Sequence, residues 1–562
     1  MRDQHRAAWL LCVIAALFAG RSAAADTPLH ERIDRAIEAG RDGRLAAPAT
    51  DGEFVRRVHL DLTGMIPTAT EARAFLDDPS PYKREKLIDR LLDSPEFARR
   101  MQVVFDVMLM ERRPATHVPA TEWEGFLLDA FSENRPLDQV AREILSADGA
   151  DPAHRGPARF ALDREGDPNL MTRDVGRLFL GRDMQCAQCH DHVLYDDYKQ
   201  AHYYGLFAFF NRSYLVQDAK GIATLGEKAE GDVTFKSVFK KKITNTTGPR
   251  VLYAEPVAEP AVAKGQEYWV APAEKVRAVP RYSRRAQLAK SVVSAKVPEF
   301  NRNLANRLWA IMMGRGIVHP LDLHTAENPP SHPELLEMLA RELAAMGFDG
   351  RKFLRELALT RTYARSSEPP PGLSPEDGSP ARFAVAVLKP LSPEQFSWSV
   401  MQATGIVAAT RAAVERTLFT VDPKLTQLMQ LDDKRRRFGR RLVESAVYDG
   451  LKGNSGPFIA QFGRAAGQSQ DAQDASVHQA LFLSNGQPVL SWLDGLAGRL
   501  ATIADASAMV DELYLSVLTR RPMPDEREEA IKYLAAKPSA KAQAVHELAW
   551  ALLTSTEFRF NH

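Results

Sequence analysis

Three cysteines in 562 residues are far too few for a disulfide framework. The chain has to be held by ordinary packed cores, and its length allows roughly two to four domains of about 150 residues each. Charge of one sign is missing as well: 73 basic residues face 72 acidic ones, a net charge of +1. A dedicated nucleic-acid binder needs a strong positive field, so nucleic acid is excluded as the main partner. Beyond residue 25 no apolar run approaches the ~20 residues that span a bilayer, so no membrane span is expected. There is neither a phosphate-binding glycine loop nor a dinucleotide fingerprint. Gly453-Asn454-Ser455-Gly456 does not match a nucleophile elbow. What remains is 45% hydrophobic and 26% charged, an ordinary globular balance.

The first 25 residues read as a signal peptide. Arg2, His5 and Arg6 form a positive start, Ala7 to Ala19 an apolar stretch, and Ala23-Ala24-Ala25 a small-residue cleavage site before Asp26. The protein is therefore expected to be periplasmic or otherwise exported, and soluble once the peptide is removed. Cys12 leaves with the leader, so the mature chain keeps two cysteines, Cys186 and Cys189.

The mature sequence reads as mainly α: two helical modules with a small β-containing insert between them. The first module covers 26–212, the insert 213–280 and the second module 281–562, with a Pro-rich linker near 366–382. Short helices are predicted over Thr68–Leu76, from Ser80-Pro81 onward and from Ser94-Pro95 onward. Thr121-x-x-Glu124 and Ser331-x-x-Glu334 both look like capping boxes. Asn169 to Gly181 reads as a helix with Val175, Leu178 and Phe179 on one face. In the insert, Val233, Phe235, Val238, Phe239 and Ile243 among Gly, Thr and Lys suggest short strands. Residues 405–480 are hard to read. Leu91-Leu92-Asp93-Ser94-Pro95-Glu96-Phe97 is echoed by Leu552-Leu553-Thr554-Ser555-Thr556-Glu557-Phe558. A Pro-x-x-x-Glu segment precedes each, Pro67 to Glu71 and Pro522 to Glu526. The echo reads either as one helical unit used twice or as convergent capping.

The chemistry concentrates in Gln185-Cys186-Ala187-Gln188-Cys189-His190-Asp191-His192. Cys-x-x-Cys-His is the attachment sequence of c-type haem: Cys186 and Cys189 would add to the porphyrin vinyl groups, and His190 would ligate the iron. Export, the lack of competing cysteines and the amphipathic helix leading into the motif all favour this reading. Two alternatives stay open. Zinc or iron could be held by Cys186, Cys189 and one or both of His190 and His192, or the two cysteines could form a plain disulfide. A thioredoxin-like redox pair would want a βαβ context that is not evident. His192 is a secondary candidate, and Asp191 reads as either a turn residue or an outer-shell acceptor. Met184, His202, Met312, Met313 and His319 are formal candidates for a sixth iron ligand.

These flanks carry a resemblance. Phe179-Leu180-Gly181-Arg182 through Asp196, with Tyr203-Tyr204 and Phe209-Phe210, is similar to domain of unknown function 1549, also labelled planctomycete cytochrome C-like. So is Arg57-Val58-His59-Leu60-Asp61-Leu62-Thr63-Gly64 with Pro67 and Thr68. The segments Asn306-Arg307-Leu308-Trp309, Gly314 to Val318, Asn328 to Leu336 and Thr360-Arg361-Thr362-Tyr363 resemble its usual partner, domain of unknown function 1553. Asn485-Gly486 and Glu557 to His562 resemble it too. The resemblance implies a cytochrome-like role but no established activity. Where the family often has Pro-Phe-Asp and then Trp after the second histidine, this chain has Val193-Leu194-Tyr195-Asp196 and Tyr198.

Elsewhere, His319, Asp322 and His324 form a possible second metal site. The basic run Lys434-Arg435-Arg436-Arg437 with Arg440 and Arg441 suits an anionic polysaccharide or, more simply, a solvated helix face. The expectation is an exported monohaem c-type redox protein with an unknown redox partner. The alternative is a non-haem zinc or iron envelope enzyme, or a polysaccharide-binding protein using the same Cys/His cluster. A filled sixth position predicts electron transfer, and an open one predicts binding or activation of a small molecule.

Overall fold

Side-chain caps open several of the helices. The structure, a computed structural model, describes residues 27–39, 44–193, 197–239, 242–293, 297–421, 433–466, 468, 470 and 476–562. The signal segment, with Cys12, lies outside them. Helix Asp51–Thr63 opens on Thr50, whose hydroxyl accepts from Glu53 N–H at 3.2 Å, and stops at Gly64 with φ 81°. Ala69–Asp77 has a complete capping box from Thr68 and Glu71. Pro95–Met110 opens on Ser94 with Pro at its first turn, and Pro168–Leu180 opens on Asp167 and closes on Gly181.

Prolines displace three of the expected starts. His332, not Ser331, begins Pro333–Ala345, without a side-chain cap. The residue before a proline is pushed out of the α region, so His332 cannot be the first helical residue under a Ser331 cap and becomes the cap position itself. Likewise Pro119 begins Ala120–Ser132, and its carbonyl accepts from Glu122 N–H at 3.1 Å, which leaves Thr121 inside the first turn. Ser80-Pro81 makes a turn, and the helix itself runs Lys83–Leu92.

The architecture is mainly α with short two-stranded sheets. Three antiparallel pairs fall between Ser213 and Pro280: Ser213–Gln217 with Ala223–Glu227, Val233–Phe235 with Asn245–Thr247, and Tyr268–Val270 with Val279–Pro280. Val238, Phe239 and Ile243 are not in strands, contrary to expectation. A fourth pair, Lys389–Pro390 with Phe560–Asn561, draws in the C-terminal residues. The stretch that was hard to read contains the helices Ile406–Val421, Asp433–Leu451 and Gly456–Phe462.

The largest core runs from Leu29 to Phe383 and crosses the β-rich stretch, joining Trp123 and Phe160 to Trp309 and Phe353. A second gathers Phe396, Phe458, Leu493, Leu513 and Phe558 together with Leu60 and Ile66. A third, smaller cluster holds Met401, Val407, Val443, Val447 and Leu451.

The sequence echo is a geometric one. Ser94 Oγ donates to Leu91 O at 2.7 Å and accepts from Phe97 N–H at 3.2 Å, and Ser555 does the same with Leu552 and Phe558 at the same distances. Glu71 and Glu526 each reach back to the N–H that opens their helix, Thr68 at 3.1 Å and Met523 at 2.7 Å. The two units also touch. Buried Arg56 donates to Phe558 O at 2.7 Å and Val517 O at 3.3 Å, and Arg521 pairs with Asp77 at 2.6 Å.

Asp61, 2% exposed, is where the resemblance segments meet. It accepts from Lys389 Nζ at 2.6 Å, Tyr363 Oη at 2.8 Å and Asn561 Nδ2 at 2.8 Å. Two residues earlier, burial pushes the His59 imidazole down to about 4.

Asp61→Ala strands a buried ammonium, and urea unfolding should show a loss of about 3–5 kcal/mol, part of it recovered by adding Lys389→Met. His59 adds a pH dependence. Between pH 6.5 and about 4 the unfolded chain takes up a proton that the folded chain refuses, so stability falls as pH falls. Against a His59→Leu variant, the wild-type unfolding free energy from urea titration should fall further on acidification, by up to about 3 kcal/mol.

Candidate functional site

The helix Pro168–Leu180 buries Val175, Leu178 and Phe179 and ends at Gly181, with φ 69°. The chain then folds back over the helix. It passes so close that a Cβ on Gly176 would lie 3.0 Å from Arg182 O and 3.2 Å from Met184 Cε. The return leads into a single 3₁₀ turn, Gln185–Gln188. Ala187 is buried beneath it, and the thiols of Cys186 and Cys189 are free and exposed.

Polar side chains from the following helix, Gln200–Phe207, fasten this turn. Gln200 Nε2 donates to Gln188 O at 3.2 Å and to Lys236 O at 3.1 Å, and Tyr204 Oη donates to Gln188 O at 3.1 Å. Gln188 Nε2 and Tyr203 Oη both donate to Asn169 Oδ1, at 2.9 and 2.8 Å. Asp191 Oδ1 accepts from Gln200 N–H at 2.8 Å, at the start of that helix. The β-rich stretch folds onto the motif through Val238 N–H, which donates to Cys189 O at 3.0 Å.

The two histidines do different things. His190 Nδ1 lies 2.6 Å from the Asp191 carbonyl oxygen. A carbonyl only accepts, so Nδ1 carries the proton and Nε2 is the nitrogen left for a ligand. The His190 ring packs 5.0 Å from Phe239. His192 instead meets Tyr198 edge-on, with ring centres 6.1 Å apart, and its N–H donates to Tyr198 O at 2.9 Å. Among the described residues, no three of His, Cys, Asp and Glu are grouped to hold a metal ion. Large apolar side chains near the motif stand open to solvent: Val193 is 82% and Phe239 76% exposed, and Val238 and Ile243 are exposed too.

Behind the motif lies a buried ionic network. Arg177 pairs with Glu111 at 2.5 Å, Asp174 at 3.2 Å and Asp322 at 3.1 Å; Arg164 pairs with Asp174 at 2.6 Å; Arg307 closes on Asp322. The carboxyl of Asp174 is held below its usual range by Arg164, Arg177 and Arg113 against the cost of burial. Asp322 is thus committed to two arginines, which removes it from the metal site expected with His319 and His324. Its backbone has another use: Asp183 N–H donates to Asp322 O at 2.8 Å and His324 N–H to Gly181 O at 3.0 Å, so this strip lines up beside the turn's entry. Burial, with Arg182 and Arg302 nearby, pushes the His324 imidazole down to about 4.

The sixth-ligand candidates are scattered. Met184 is buried behind the turn, and His202 Nδ1 donates to Asp197 O at 2.9 Å. Met312 and Met313 line a separate cavity beside Arg57 and Lys389. In the basic run, Arg437 and Arg440 face Asp93 at 3.0 and 3.9 Å and Arg441 pairs with Asp129, so these three arginines serve intramolecular contacts. Tyr195 and Asp196, where the family pattern is broken, lie outside the described residues. Gln200 went unnoticed in the sequence, and Phe239 was read only as a strand residue. The only signal for Phe239 was an aromatic side chain standing in a lysine-rich stretch.

Gln200→Ala removes one bond to the turn, at Gln188 O, and one to the β-rich stretch, at Lys236 O. Amide hydrogen exchange across 185–192 should speed up about tenfold while global unfolding is unchanged.

Residues 32–214 match the protein of unknown function DUF1549, short name PSCyt2, and residues 284–534 match the protein of unknown function DUF1553, short name PSD1. No curated protein and no solved structure matches the chain. The two matches stand in the order expected from the motifs: the chain belongs to the family of proteins in which DUF1549 is followed by DUF1553.

Proposed function

We propose that the protein is an exported monohaem c-type redox protein of the cell envelope, with the haem on the 26–212 module. The observation that carries this reading is the His190 imidazole. Its Nδ1 is tied to the Asp191 carbonyl and its Nε2 is left for a ligand, beside two free thiols on one turn. A covalently attached haem asks for one protein ligand and two thiols, whereas a zinc site needs three or four converging donors. The donors here suit the first demand. The exposed Val193, Val238 and Phe239 supply the apolar surface that a porphyrin face would cover, and the short name of the matching family, PSCyt2, agrees.

Cys186 and Cys189 would hold the haem, and His190 would ligate its iron. The bound group would supply one-electron redox chemistry. The chain's own residues do the positioning: Gln200, Tyr204 and Asn169 keep the turn in place, and Asp191 fixes both the imidazole and the next helix. Among the described residues no helix is long and apolar enough to cross a membrane.

The test is the reduced-minus-oxidised absorption spectrum of protein made in the periplasm of a host with cytochrome c maturation. A c-type α-band is expected in the wild type and is lost in a Cys186→Ala, Cys189→Ala double variant. His190→Gly should keep the colour, shift the band, and regain it with added imidazole. A colourless wild type from a competent host refutes the proposal.

A further inference from the structure

Arg100, on the helix Pro95–Met110, points into a cleft that this helix forms with Pro393–Thr404, Ile406–Val421 and Asp433–Leu451. Gly64 lets the side chain through, since a Cβ there would lie 3.0 Å from Arg100 Cδ. The other charged side chains of the wall are paired. Arg99 donates to Glu444 at 2.9 Å, Arg411 to Glu96 at 2.8 Å, and Glu394 accepts from Arg112 at 2.8 Å. Arg100 has no such partner among the described residues, and its Nε is buried without a hydrogen bond. Asp61 and Glu394 are the acids whose charge it feels, and both are committed elsewhere. Burial lowers the guanidinium's affinity for its proton, as expected of a charge kept from water without a counter-ion.

Apart from Thr63, Gln395 and the Tyr448 hydroxyl, the rest of the cleft is apolar. Val103, Val407, Val447 and Met65 line it with Trp398, which stacks on Tyr448 at 5.5 Å with rings nearly parallel. The space open to the centre of a water-sized sphere is about 40 Å³, room for about three waters or one short aliphatic chain. Three arginines face three glutamates in the wall, and after pairing, one planar cation is left over against a hydrocarbon surface. A guanidinium fork fits a planar carboxylate. A dianion would add a second charge beside Glu394 and Glu444 with nothing to meet it.

We propose that this cleft binds a small aliphatic monocarboxylate, its carboxylate on Arg100 and its tail against Val103, Trp398 and Val407. The site is independent of the haem reading and shares no residue with it.

Calorimetric titration of the full chain with butyrate, butyramide and inorganic phosphate, at matched ionic strength, tests it. Butyrate binds, butyramide does not, and phosphate binds at least about tenfold more weakly. Arg100→Leu removes an unpaired buried charge and should fold at least as well as the wild type, with butyrate affinity down about 10- to 100-fold. Val407→Phe fills the cleft with Arg100 in place and should abolish binding. Should either variant fail to fold, the wild-type ranking of the three probes decides alone. The proposal is overturned if butyrate does not bind, if butyramide or phosphate matches it, or if Arg100→Leu binds butyrate as the wild type does.

Discussion

A carboxylate buried away from water costs several kcal/mol unless its oxygens are fully met, and Asp61 meets this demand from three distant parts of the chain. Lys389 comes from the end of the proline-rich stretch, Tyr363 from the end of the helical region before it, and Asn561 from the last two residues. Arg57, one turn earlier on the same helix, donates to the carbonyls of Arg365 at 2.7 Å and His562 at 3.1 Å. The Asp51–Thr63 helix therefore works as a fastener. It belongs to the main core through Phe54, Val58 and Leu62, and to the second core through Leu60. This helix faces both cores and, with ion pairs such as Arg99–Glu444 and Arg112–Glu394, holds the two parts of the chain together.

The candidate site depends on that frame by a short path. The Pro168–Leu180 helix packs its apolar face into the main core and uses Asp174 and Arg177 to bind Glu111, Arg164 and Asp322 behind it. Asp322 also pairs with Arg307, on the helix Pro298–Met313 of the DUF1553 region. The turn carrying Cys186 and Cys189 is thus anchored on one side by the second family region and on the other by Gln200 and Tyr204. Its outer face, with both thiols and the His190 ring, is left to solvent and to the apolar residues around Phe239. A rigid base with an open apolar face is what a covalently held flat group requires.

Local signals were legible in the sequence where one residue decides the geometry. Gly181 ends the helix before the motif as read, and Ser94 and Ser555 open their helices in the same way, so the echo between the two ends is a shared structure as well as a shared string. The misplaced helix starts lie at prolines. Pro333 and Pro119 shift helix starts by one or two residues, and a four-residue capping pattern carries no information about the neighbour that overrides it. The cysteine motif was visible by itself, but its supports were not. Gln200 and Asn169 are common polar residues that matter only because folding sets them beside Gln188. Asp322 looked like a metal ligand beside two histidines, and only tertiary structure reveals the two arginines that occupy it. Arg100 looked like any other arginine, since a missing partner is invisible in a sequence.

The central claim is that Cys186 and Cys189 carry a covalent haem, and peptide mass mapping tests it most directly. After denaturation and trypsin digestion of protein matured in the periplasm, cleavage at Arg182 and Lys199 releases a single peptide containing both cysteines. The account predicts that this peptide carries the mass of one haem. The bare peptide mass, or a mass showing only a bridged pair of thiols, would contradict it.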